Sequence, residues 1–92
     1  MPDAEWVLRT QNSFGGGVVK MVVWKVPTPV QLSTHRFKYR LVFVRAGQRL
    51  VGYVNERGKG DYKHINGREL SYRFVDIDTL MHDFLRDVEK HA

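Results

Sequence analysis

Cysteine is absent from the 92 residues. That excludes a disulfide framework and any thiolate metal site, and it fits a reducing compartment. No apolar run is long enough to span a bilayer. The longest, Val18 to Val26, is broken by Lys20 and Lys25. The N-terminus carries Asp3 and Glu5 where a secretory leader would carry basic residues before an apolar block. A cytoplasmic protein without a membrane partner is therefore expected. Gly58-Lys59-Gly60 lacks the spacing and the following Ser/Thr of a Walker loop. Zinc-type ligand spacing is missing as well, so neither a metal site nor a cofactor is expected. There are no internal repeats and no low-complexity tract, and 92 residues allow one domain, 1–92, with one compact core.

Acidic residues are scarce through the middle of the chain. From Arg9 to Arg73 thirteen Lys/Arg face three acids, Glu56, Asp61 and Glu69, a net +10 within an overall +5. The C-terminal segment from Asp76 is acidic. A basic body of this kind suggests a polyanionic partner, most often nucleic acid. Aromatics interleave with the cations in Phe37-Lys38-Tyr39-Arg40.

The pattern along the chain is strand-rich. Glu5 to Asn12 reads as a strand with Trp6, Leu8 and Thr10 on one side, and three consecutive glycines then mark a turn. Gly17 to Val26 is nearly continuous in apolar residues, the signature of a central strand buried on both faces. Pro27 and Pro29 end it, and Thr28 to Arg36 is a polar connection. Phe37–Arg45 and Arg49–Asn55 form a hairpin across Ala46-Gly47. Leu50 and Val54 then face one way, and Arg49, Val51, Tyr53 and Asn55 the other. Asn66-Gly67 joins Lys63–Ile65 to Arg68–Phe74 in a further hairpin. From Ile77 to Lys90 the residues Ile77, Leu80, Met81, Phe84, Leu85 and Val88 make one apolar helical stripe, with Asp76 as N-cap and Asp78, Asp83, Asp87 and Glu89 on a solvated outer face. The expected fold is α+β: an antiparallel sheet of about five strands in hairpins, with one C-terminal amphipathic helix packed on it.

The chemistry concentrates between Tyr53 and His64. Arg57, Lys59 and Lys63 can neutralise phosphate, Gly58 and Gly60 let backbone N–H groups approach an anion, and Lys38, Arg40 and Arg49 extend the basic surface. His64 is the loop residue whose ordinary pKa lies near neutrality. Asp61, three residues earlier, is placed to orient or charge it, and Tyr53 and Tyr62 lie close by. His35, His82 and His91 look incidental. A ribonuclease needs a base for the 2′-hydroxyl, cations for the phosphorane and an acid for the leaving oxygen, and these residue types supply all three. A non-catalytic nucleic-acid-binding module needs only the charge, and a protein-interaction domain needs neither.

Three stretches carry a family resemblance: Phe37-Lys38-Tyr39-Arg40-Leu41; Gly52-Tyr53-Val54-Asn55-Glu56-Arg57-Gly58-Lys59-Gly60-Asp61-Tyr62-Lys63-His64; and Tyr72-Arg73-Phe74 ahead of the helix. Together they resemble the TumE family of toxins over nearly the whole chain. The resemblance implies the toxin half of a toxin–antitoxin module. Its partners would be a cognate antitoxin, usually a helix-turn-helix protein, and RNA or the ribosome as target. Two positions depart from the family's pattern, which commonly has Asp where Val54 stands and His where Tyr62 stands. In this chain Tyr62 or His64 would have to serve as the acid.

Overall fold

The structure is a computed structural model and describes residues 5–92. Asp3, part of the acidic start, lies outside the described residues. Six strands follow one another as β1 (Glu5–Phe14), β2 (Gly17–Lys25), β3 (Phe37–Arg45), β4 (Gln48–Glu56), β5 (Gly60–Ile65) and β6 (Arg68–Ser71), and helix α1 (Ile77–His91) closes the chain. All neighbours pair antiparallel in the order β1-β2-β3-β4-β5-β6, a meander. The fold is α+β as expected, with one strand more than about five. The strands on either side of the Gly-rich stretch reach further into it than expected, β4 to Glu56 and β5 from Gly60. What reads as a Gly-rich loop is mostly ladder, and only Arg57–Lys59 lie between β4 and β5. At the far end β6 stops at Ser71, and Tyr72 and Phe74 continue without strand pairing.

Gly60 is what allows so short a turn. Its φ is +76°, and a Cβ there would stand 2.8 Å from the Leu32 carbonyl oxygen. Both the backbone conformation and the space require glycine. Asn66-Gly67 has φ of +49° and +83°, the type I′ geometry whose twist matches that of the flanking strands.

One face of the sheet is core. Val19, Met21, Val23, Tyr39, Leu41, Phe43, Val51 and Tyr53 meet Leu80, Phe84 and Val88 of α1 there. The helical stripe is thus the covering face, and Asp76 caps the helix by accepting from the Thr79 N–H at 2.7 Å. The acidic residues of α1 are not all solvated. Asp87 is buried and accepts from the Tyr53 hydroxyl, and Asp83 accepts from the Tyr72 hydroxyl at 2.8 Å. Both lie close enough to the apolar stripe to reach the sheet's phenols.

The alternate residues of each strand form the opposite face, and no other element among the described residues covers it. β2 is therefore not buried on both faces: Lys20 and Trp24 look out, and Val22 is shielded only by its neighbours' long side chains. A bulge between Trp6 and Leu8 reverses the expected side of β1's first residues. Leu8 packs toward the core, while Trp6 pairs with Trp24 on the open face.

Candidate functional site

Strand pairing gives the residues of the Tyr53–His64 stretch a side. Successive side chains of a strand point to opposite faces, so Asp61 and Lys63 share the core face with Tyr53, and Tyr62 and His64 share the open face with Val54 and Gly52. The structure does not bring Asp61 to His64. It separates them by the thickness of the sheet.

On the core side Asp61 is the hub of a structural knot. It accepts from Ser33 Oγ at 2.5 Å, His35 Nε2 at 2.7 Å and the Tyr39 hydroxyl at 2.7 Å. The Phe37 N–H donates to His35 Nδ1 at 3.1 Å, so the ring proton must sit on Nε2, where it points at Asp61. The imidazole stacks on Phe74 with centroids 3.7 Å apart. Asn55 is fully buried beside it, accepting from the Tyr39 N–H at 2.9 Å and donating to the Phe37 carbonyl at 2.6 Å. His35 is thus not incidental. It ties the 26–36 connection to β5, and its partner lies too far along the chain for any local pattern to reveal it. Burial, reinforced by Asp61, raises the Tyr39 phenol far above its ordinary pKa, so it stays a donor. Tyr53, also proposed for chemistry, is fully buried, with its hydroxyl committed to Asp87. Lys63 sits 3.3 Å from the same carboxylate and over the Tyr53 ring.

The open face holds a different constellation. Glu69 of β6 lies directly across from His64 and stands 3.6 Å from its Nε2. Lys59 donates to the same carboxylate oxygen at 2.8 Å and lies over the Tyr62 ring at 4.6 Å. Tyr62 meets His64 edge-on at 5.3 Å and donates its hydroxyl to Glu56. Arg49 joins them because Gly52 has no side chain. A Cβ on Gly52 would stand 3.1 Å from Arg49 Cδ, so the guanidinium lies across the strand next to His64. Arg49 therefore does not share a face with Val51 and Tyr53 as simple alternation suggests. The register shift between Phe43 and Val44, opposite this end of β4, breaks that alternation. Glu56 and Glu69 are the members that local reading missed, since their partners are set by cross-strand register.

The electrostatics of this group are divided. Burial, followed by the Arg49 cation, lowers the His64 pKa and favours neutral imidazole. The hydrogen bond from Lys59 lowers the Glu69 pKa and raises that of Lys59, so each keeps its charge. Tyr62 is pushed up to about 12 by burial and its bond to Glu56. One face thus presents a neutral base, an ionised carboxylate, two fixed cations and a protonated phenol.

The remaining cations line the same side. Arg40 pairs across with Val54, next to Tyr62. Lys38 donates to the Asn55 carbonyl at 2.5 Å and, with Arg57, borders a cleft of about 780 Å³ against Thr28–Gln31. Burial lowers the Lys38 pKa. Gly58 occupies the β4–β5 turn with φ of +86° and open space around it.

A family model described as Toxin TumE matches residues 3–92. The chain belongs to the TumE toxin family. Membership makes it the toxin component of a toxin–antitoxin module and implies a cognate antitoxin. No curated protein and no solved structure matches the chain. Val54 and Tyr62 are cross-strand partners at the edge of the cluster. Among the described residues no helix is long and apolar enough to cross a membrane.

Proposed function

We propose that this TumE toxin cleaves RNA at the open face of its sheet, with His64 as general base. The observation that carries this reading is the cluster of His64, Glu69, Lys59, Tyr62 and Arg49 on the face that no element among the described residues covers. His64, neutral at physiological pH, takes the proton of the 2′-hydroxyl, and ionised Glu69 stabilises the imidazolium that forms. Arg49 and Lys59 offset the charge that grows on the phosphorane. Tyr62, whose phenol burial and Glu56 keep protonated, supplies the proton for the leaving 5′-oxygen. The products are a 2′,3′-cyclic phosphate and a free 5′-hydroxyl. Asp61 and Tyr53 have no part in this chemistry. The mRNA or ribosomal RNA of the host is the target, in the cytoplasm. The antitoxin, a helix-turn-helix protein in the pattern of the family, silences the toxin by covering this face.

The test is growth after tightly controlled induction in a bacterial host, with RNA ends mapped in parallel. Wild type should arrest growth and leave cyclic-phosphate ends. His64→Ala and Glu69→Gln should lose cleavage by about a hundredfold or more, the usual share of a general base. Full toxicity in His64→Ala would remove this cluster from the mechanism. Arrest without new RNA ends, in wild type and variant alike, would replace cleavage with binding.

A further inference from the structure

Three and four strands away from His64 the same face carries the chain's two tryptophans. Trp6 and Trp24 stack with centroids 5.0 Å apart, and the Arg9 guanidinium lies 4.9 Å from the centre of the Trp6 ring. Trp6 is 55% exposed, on an edge strand where it supports no core. These indoles, with Lys20 and Arg40, wall a groove of about 410 Å³ floored by Val22 and Val42. The register orders the approach to the cluster. Arg9, Val22, Arg40, Val54 and Tyr62 form one row across five strands, and Lys20, Val42, Gly52 and His64 form the next. From β2 to β5 is three strand spacings, about 14 Å. That is the reach of a short oligonucleotide, with Arg40 midway.

We infer that the Trp6–Trp24 groove is a base-stacking subsite for single-stranded RNA whose backbone crosses the strands over Arg40 to His64. This rests on the RNA-cleaving reading and names its substrate class. Indoles beside cations give what a single strand needs: flat faces for unpaired bases and point charges for phosphates. Arg9 already places one planar cation against Trp6, and a base of similar shape can stack there while Arg9 turns to its phosphate. A duplex keeps its bases inside the helix and offers this groove only phosphates and sugars.

The tryptophans are also the only two in the chain, so tryptophan fluorescence, excited beyond the tyrosine band, reads this subsite alone. His64→Ala protein, unable to consume its ligand, is titrated with a uridine hexanucleotide and with a blunt RNA duplex of equal phosphate count. Fluorescence and the anisotropy of an end-labelled hexamer are followed together. Expected are quenching by the single strand, little by the duplex, and about tenfold weaker hexamer binding in the Trp6→Ala background, where Trp24 still reports. Lys20→Gln, at an exposed position, is the second arm. It should reduce the slope of log affinity against log salt by about one counterion. Hexamer binding without quenching, or unchanged in both variants, would overturn the subsite and leave RNA as substrate. Equal quenching by the duplex would overturn stacking. Quenching by a polyglutamate peptide but not by RNA would give the groove to an acidic protein. No RNA binding by any readout would overturn both this inference and the cleavage reading.

Discussion

At the scale of single residues the most consequential position has no side chain. Gly52 leaves the strip of β4 on which Arg49 lies, and Arg49 is the strongest nearby charge holding His64 neutral. Gly52→Ala asks Arg49 Cδ to move by a few tenths of an ångström, which a flexible arginine can do, so the fold should stand. Arg49→Gln, by contrast, removes the cation, and the His64 pKa should then rise toward 6.5 in an NMR titration, with the acid limb of the cleavage profile rising alongside it. The sign follows from the role: a base works when unprotonated, so activity climbs with pH through the His64 pKa and is flat above it. The same lowered pKa means the folded chain holds that proton less tightly than the unfolded one. Its share of stability is whole above 6.5 and is lost as pH falls below. An unchanged pKa in Arg49→Gln would show that Arg49 does not set it. His64, Tyr62, Lys59 and Arg49 were all legible as candidates from residue type alone. Their companions were not. Glu69 becomes a partner only when Asn66-Gly67 folds β6 back on β5, and Asp61 loses its place beside His64 because sequence distance carries no information about side.

Elements explain that error and its reverse. Treating Asn55–His64 as a loop leaves every side chain free to converge, and treating it as two strands divides them by parity. Only the three residues Arg57–Lys59 escape that rule. The helix was legible because its period is long and its cap is local, whereas the side of Trp6 was not, because a bulge shifts the alternation. Asp61 is the clearest test of the element-level account. It holds three donors from β3 and the 26–36 connection. Asp61→Ala leaves those donors unpaired and should cost about 3 kcal/mol in denaturant unfolding. His64→Ala, with a longer contact to a half-exposed carboxylate, should cost under about 1 kcal/mol. If Asp61→Ala keeps full stability yet loses cleavage, Asp61 is chemical and not structural.

For the molecule as a whole the governing fact is asymmetry. One face of the sheet carries the helix and the core, and the other carries the indoles, His64 with Glu69 and Tyr62, and the cations Arg9, Lys20, Lys38, Arg40 and Arg49, while Lys63 lies on the core side. Charge was legible from composition, since the span from Arg9 to Arg73 has a net +10, but which of its cations share the open face was not. RNA binding should therefore weaken steeply with salt. Four phosphates neutralised along a single strand correspond to a slope of about −3 in log affinity against log salt. A slope near zero in an anisotropy titration would assign recognition to the indoles alone.

The meander also fixes an order of events in time. Every strand pairs with the one made just before it, so each hairpin can close as the chain emerges during synthesis, without waiting for a distant partner. The face then assembles from the indole end toward His64, and the base gains its carboxylate only when β6 folds back. On the cleavage reading proposed above, a nascent chain that ends before Glu69 lacks the carboxylate that supports His64. The helix that covers the core face is made after the last strand, so the sheet gains its full core only once α1 has followed.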